Sequence, residues 1–404
     1  MRALTEPLVI TGAAVRTHLG GEMRSVLDRL RLGEARPFVR YEEAVDAGCG
    51  CTLIGRYEGA LDDASLGIQR PAGRFMGRAA RMALSAAREA VAQSGVDPRQ
   101  LGVVVGSGTG DVETHRAIDA HLAERGRARG VGPTTIPRLM ASSVSANLAT
   151  VLGAEGPSVS AAAACAGGAW NLVIAAQLLL AGDAEAVLAG GVEVADLHFH
   201  IGFDEMRAYT RRDNDQPERA SRPYAADRAG FVFGEGAGLV VLERASSAAE
   251  RGAEVLGHLH GWGMSSDGSG EMVRPSVGGP QRAIESALRR AGLEAREIGY
   301  VNTHATGTAA DLIEVDAFAD RVNAPYSSTK GYTGHTVSAA GALEAVFTCA
   351  MLREGWFAPC VNATPLDPAL PRPPVCAPTR GAARWALSHS FGFGGTNVAL
   401  VLGA

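Results

Sequence analysis

The sequence predicts an α/β fold, layered and built from two related halves. Three observations carry that prediction. Short apolar runs alternate with amphipathic segments of helical period along the whole chain, the pattern of strands and helices stacked in layers. In the first half a strand runs into Cys165 and then a helix; in the second a strand runs into Lys330 and His335 and then a helix. No low-complexity linker separates the two.

Taken in order, Pro7–Val15 (PLVITGAAV) reads as a buried strand and residues 22–32 as an amphipathic helix. Residues 74–94 place apolar side chains three and four apart, and Gly95 stops that helix. Leu101–Val105 is an apolar strand leading into the loop G-S-G-T-G-D. Pro157–Ala164 is expected as a strand, Ala169–Leu180 as a helix, and Glu185–Gly191 and Ala237–Glu243 as strands. The second half predicts helix Gln281–Ala291, strand Ile298–Asn302, strand Ala324–Thr329, helix Ala339–Leu352 and a last strand, Asn397–Leu402. Pro365–Pro378 reads as a surface loop.

Composition excludes several classes. With 46 % hydrophobic and 20 % charged residues over 404 positions, the chain has the makings of a large core and not of a disordered segment. The 38 basic against 43 acidic residues give −5, no excess that points to nucleic acid. The most apolar stretch, Ala161–Ala181, carries Asn171 and Gln177 and reads as a buried helix, so no membrane span is expected. The N-terminus lacks the apolar stretch of a signal peptide, and a cytoplasmic protein is expected. Six cysteines are too sparse for a disulfide scaffold. Cys49-x-Cys51, His198-x-His200 and His258-x-His260 lack neighbouring ligands, so no metal is expected. Glycine is abundant, 51 residues, which implies many tight turns. A single basic residue, Lys330, is lysine; every other one is arginine. The two differ in shape and hydration, and only lysine fits a compact ammonium pocket.

Four segments offer chemistry. Cys165, in AAAACAGGAW, lies between a strand and a helix with small residues on both sides. Such a thiol can be a nucleophile, its thiolate favoured by the helix N-terminus, or simply a small buried core residue. His304 follows an apolar strand, with Thr306 and Thr308 beside it. Lys330 precedes a second histidine, His335, by five residues, and Glu344 follows on the next helix. Ser390–Asn397 (SFGFGGTN) is a glycine-dense turn whose backbone N–H groups can meet a developing oxyanion. One thiol and two imidazoles suit thioester chemistry, the thiolate accepting an acyl group and neutral imidazoles donating to an enolate. The loop at 106–110 lacks the G-x-G-x-x-G spacing, and no hydride cofactor is implied.

Together these motifs resemble the elongating β-ketoacyl-acyl-carrier-protein synthases, the condensing enzymes of fatty acid and type II polyketide synthesis. The likeness runs through LVITGAAV, RFMGRAARMALSAAREA, LMASSVSANLAT, the Cys165 segment, PERASRPYAADRAGFVFGEGAGLVVLE, the His304 segment, STKGYTGHTVSAAGALEA and SFGFGGTN. The resemblance implies a thiolase-like five-layered αβαβα fold of two pseudo-duplicated halves, residues 1–245 with the cysteine and 246–404 with the histidines and the lysine. It implies Cys165 as acyl-accepting nucleophile, His304 and His335 as partners of the malonyl thioester carbonyl, and Lys330 beside them, paired with Glu344. The N–H groups of Cys165 and Phe393 would form the oxyanion hole, with Phe393 as a gate and Thr306, Thr308 and Phe391 contacting substrate. Arg70, Arg74 and Arg138 would face an acidic acyl carrier protein, and the chain would pair with a second copy or with a related chain-length-factor subunit. No cofactor is implied beyond the phosphopantetheine arm that carries the substrates. Three departures, Ala305 in place of glycine, a segment from His304 to Asp311 one residue short, and His389 in place of asparagine, suggest an altered acyl or extender pocket. A CoA-dependent thiolase would place a second cysteine near the C-terminal glycine loop, which here is SFGFGGTN.

Overall fold

The computed structural model describes residues 6–404, apart from the side chain of Arg70. Ten strands form the main sheet: β1 (Leu8–Thr17), β2 (Leu101–Gly106), β3 (Ser158–Val159), β4 (Ala186–Glu193), β5 (Gly236–Arg244), β6 (Gly257–Ser266), β7 (Ile298–Asn302), β8 (Tyr326–Ser327), β9 (Trp385–Gly392) and β10 (Thr396–Gly403). Their order is β8-β7-β9-β10-β6-β1-β5-β4-β2-β3. Read inward from either edge, each half places its third, second, fourth, fifth and first strands in the same sequence. Directions repeat as well: first with fifth and fifth with fourth antiparallel, fourth with second and second with third parallel. The halves meet where Leu8–Ile10 of β1 pairs with Gly257–Leu259 of β6.

The principal helices are α1 (Met23–Leu32), α2 (Arg78–Ser94), α3 (Val112–Arg125), α4 (Ser143–Leu152), α5 (Gly167–Ala181), α6 (Leu197–Glu205), α7 (Gly278–Ala291), α8 (Ala310–Phe318) and α9 (Ala340–Glu354). Helices α2 and α4 cover the outer face of the first half-sheet, and α7 covers that of the second, with α8 packed beside it. Helices α5 and α9 pack on each other between the two half-sheets, giving five layers. This explains their sequences. An outer helix such as α2 has one buried face, whereas α9 is buried nearly all round and carries apolar and small residues on every side. The window Ala164–Ala181 is long and apolar enough to cross a membrane by composition alone, but it lies in this middle layer.

Three expectations need correction. The strand expected over Pro157–Ala164 is regular strand only at Ser158–Val159, and the one over Ala324–Thr329 only at Tyr326–Ser327. In both, the chain leaves the sheet early to form the turn that precedes a middle-layer helix. The segment read as a glycine-dense turn begins as strand, since β9 runs through Ser390–Gly392 before turning into β10.

Candidate active site

Cys165 occupies the centre of a 3-10 turn, Ala164–Ala166, directly before α5. Ala164 takes φ 46°, a left-handed conformation that costs an alanine about 1–3 kcal/mol. Close packing around the turn requires small residues: a Cβ on Gly392 would stand 3.1 Å from the Cys165 nitrogen. Against the expected lowering, burial pushes the Cys165 thiol up to about 12, because the side chain is only 6 % exposed. Nearby Glu193 adds to that rise, while Lys330 and the N–H groups of Phe393 and of Cys165 itself oppose it.

His304 lies just past β7, and its backbone N–H donates to Glu314 Oε1 at 2.8 Å. His335 follows the short helix Lys330–Thr333, and its N–H donates to the Val232 carbonyl at 2.8 Å. The two rings meet edge to face with centroids 5.2 Å apart. One donor atom each from Cys165, His304 and His335 falls within 4.8 Å of the others, close enough to hold a metal ion. Burial, and then the Lys330 charge, hold both imidazoles well below the usual histidine range, so both are neutral near pH 7. Their Nδ1 atoms are buried without a hydrogen-bond partner, leaving Nε2 to face the cavity. An orphaned buried N–H is rarer than an orphaned lone pair, so the partners assign the ring proton to Nε2 in each, which makes two aimed donors. Lys330 is fully buried and ion-paired with Glu344, whose carboxyl burial lifts to about 7 against the pull of the lysine.

A cavity of about 820 Å³ opens onto these groups, and Cys165, both histidines, Thr306, Thr308, Phe391 and Phe393 all line it. The Thr306 and Thr308 hydroxyls are 3.1 Å apart. The short segment after His304 closes on Asp311, whose carboxylate accepts the N–H groups of Thr306, Gly307 and Thr308, with Gly307 left-handed at φ 83°. Position 305 keeps an ordinary negative φ, so alanine fits there without strain and turns its methyl group into a buried cluster.

Glu193 and Glu314, which the sequence reading missed, and His389, which it noted only as a departure, hold this site. Glu193 is fully buried and accepts from Ser107 and Thr109 hydroxyls at 2.8 Å and from the Gly108 and Ser338 N–H groups. The G-S-G-T-G loop therefore cradles the protein's own carboxylate. Glu314 and His389 back His304, with His389 Nδ1 3.0 Å from Glu314 Oε1. Of the residues expected to face a carrier protein, Arg138 is tied to Asp111 at 3.1 Å, Arg74 is exposed, and the Arg70 side chain lies outside the described residues. Neither Arg74 nor Arg138 lines the cavity, whose wall includes Arg207, Arg228 and Arg274 instead. His198 and His200 lie on α6 and not on a strand, and His200 Nε2 donates to the Cys51 carbonyl at 2.7 Å. His260 stacks on Trp385 with centroids 4.0 Å apart.

The fold and this thiol–imidazole cluster define a thioester-condensing enzyme of thiolase-like α/β architecture, and comparison with known proteins agrees. The family model for the β-ketoacyl synthase N-terminal domain matches residues 5–248, and that for the C-terminal domain matches residues 256–364. The 3-oxoacyl-[acyl-carrier-protein] synthase 1 of Haemophilus influenzae is 36 % identical over 407 residues, covering 97 % of this chain and 98 % of the relative. A β-ketoacyl synthase structure from Burkholderia phymatum superposes with a TM-score of 0.90 at 31 % identity, covering 99 % of each chain. The ishigamide ketosynthase/chain length factor gives 0.88 at 27 % identity, covering 99 % of this chain and 100 % of the other. The chain belongs to the β-ketoacyl synthase family, as an acyltransferase of the condensing kind.

Proposed function

We propose that the chain elongates an acyl group by decarboxylative Claisen condensation with a malonyl thioester, both delivered on the phosphopantetheine arm of an acyl carrier protein. The observation that carries this reading is the convergence of Cys165, His304 and His335 within 4.8 Å at the wall of one cavity. The Cys165 sulfur attacks the acyl thioester carbonyl, the oxyanion is received by the N–H groups of Cys165 and Phe393, and the carrier thiol leaves with the cysteine proton. The malonyl thioester then binds with its carbonyl oxygen toward His304 and His335. Breaking its C–CO₂ bond sends the electron pair into an enolate that the two neutral imidazoles stabilise as donors. The enolate carbon attacks the acyl-enzyme carbonyl, the Cys165–acyl bond breaks, and the β-ketoacyl thioester departs on the carrier. Lys330 adds to burial in keeping both imidazoles neutral, and Thr306 and Thr308 offer hydroxyls to the arm. Phe391 and Phe393 shape the entrance, Phe393 as its gate.

A dimer is part of the reading, with a second copy or a related subunit. The short strand β3 ends the sheet with Val159 39 % exposed, an edge open to pairing with a partner. A cytoplasmic location fits thioester substrates of this kind. A subunit that only shapes the tunnel for a partner is disfavoured by the complete set of Cys165, His304, Lys330 and His335.

Intact-protein mass after incubation with a ladder of acyl-carrier proteins tests the reading. A covalent acyl adduct on the wild type that is lost in Cys165→Ala, together with loss of condensation in that variant, is the expected result. Full condensation by Cys165→Ala would overturn it, and no adduct from any donor would favour the tunnel-shaping subunit.

A further inference from the structure

His389, noted in the sequence as a departure from the asparagine that the resemblance implies, has surroundings that give it work. Along β9 the residues Leu387, His389 and Phe391 share one face, running from the core under α8 to the cavity wall. His389 is 0 % exposed, packed against the rings of Phe318 at 5.5 Å and Phe391 at 5.4 Å. Its Nδ1 is 3.0 Å from Glu314 Oε1, while Nε2 is buried without a partner. A proton on Nε2 would be an orphaned donor among aromatic rings, so the neutral ring carries its proton on Nδ1 and donates it to the carboxylate. Glu314 Oε1 accepts just two hydrogen bonds among the described residues, this one and the His304 backbone N–H at 2.8 Å, and forms no ion pair with lysine or arginine. Glu314 also lines the cavity.

We propose that His389 is a positioning residue for decarboxylation: it pins the Glu314 carboxylate, which in turn fixes the backbone of His304. This rests on the condensing-enzyme reading above. Without the His389 N–H, the carboxylate keeps a single donor and is free to swing into the cavity, where it would repel the malonyl carboxylate and release His304 from its place beside Cys165. Acyl transfer to Cys165 uses the Cys165 and Phe393 N–H groups and does not need His304 to be held.

The test compares wild type, His389→Leu and His389→Asn in two separate half-reactions: acylation of Cys165 by an acyl-carrier protein, read by intact mass, and decarboxylation of malonyl-carrier protein, read as CO₂ release. His389→Leu should lose about tenfold in decarboxylation, with a raised KM for the malonyl substrate, and acylate at the wild-type rate. His389→Asn, which restores an N–H donor, should recover most of the loss. Decarboxylation by His389→Leu at the wild-type rate would overturn the proposal. So would a parallel fall in both half-reactions, or in thermal stability with no recovery in His389→Asn, because that is the signature of lost packing. A wild type inactive in both half-reactions would overturn the parent reading, and this proposal would fall with it for a reason separate from His389.

Discussion

The two halves repeat one turn and use it differently. Ala164–Ala166 precedes α5 and Val337–Ala339 precedes α9, and each opens with a non-glycine residue in the left-handed region, φ 46° at Ala164 and 43° at Val337. In the first half the centre of the turn is Cys165, facing the cavity. In the second it is Ser338, 0 % exposed, with a hydroxyl that has no hydrogen-bond partner. Six residues on, the first half has Asn171, bonded to the Gly190 carbonyl and the Ala161 N–H, and the second has Glu344, ion-paired with Lys330. The nucleophile thus sits over a neutral amide, while the charged pair underlies the histidine of the other half. A strained turn suffices to present a thiol; the imidazoles beside it are kept neutral first by burial, and the buried Lys330 cation adds to that effect.

The largest effect that would break this division of labour comes from the histidine side. His335→Ala removes one of two aimed donors, and decarboxylation of malonyl-carrier protein should fall about 10²-fold or more, the scale of losing an oxyanion-hole donor. The wild-type rate should stay level between pH 8 and 6, because both imidazoles protonate well below the usual histidine range. An unchanged rate in His335→Ala would remove it from the chemistry, and an acid limb centred near 6.5 would show that burial and the lysine together do not hold the rings neutral.

Next in size is the ion pair. Glu344→Ala leaves the fully buried Lys330 without its counter-ion and should destabilise the fold by about 3–5 kcal/mol, read as a shift in denaturant midpoint. Asn171→Ala in the matching slot of the other half removes neutral hydrogen bonds only, and should cost less. Equal losses would mean that the two slots are equivalent and the charge incidental.

Much of this was legible in the sequence because it is local. Cys165 among small residues, Lys330 five before His335, and the glycine turn around Phe393 are each one short stretch of chain, and the alternation of strands and helices announces the layers. What was not legible is what distant segments bring. Glu193 lies more than eighty residues from the glycine loop it fills, so the sequence around that loop does not show that it closes on a carboxylate of the chain's own. Glu314 and His389 meet only because α8 packs on β9. The Cys165 pKa was misjudged for the same reason: the helix N-terminus is visible in sequence, but the desolvation that outweighs it comes from layers packed above and below.

The smallest expected effect tests whether the two turns are packed as a pair. A Cβ placed on Gly167 would stand 2.4 Å from the Ser338 hydroxyl oxygen and 3.3 Å from its Cβ, so the first turn is built around the side chain of the second. Gly167→Ala alone should cost about 1–3 kcal/mol by overpacking. Ser338→Ala alone removes a buried hydroxyl that bonds to nothing and should change stability by less than about 1 kcal/mol. In the double variant the 2.4 Å clash is gone and only the 3.3 Å contact remains, so part of the Gly167→Ala cost should be recovered. A double-mutant cycle by denaturant unfolding would show that recovery as non-additivity. Strict additivity would mean that the turns share a shape by descent and no longer share a packing constraint, leaving Ser338 free to vary without consequence for Cys165.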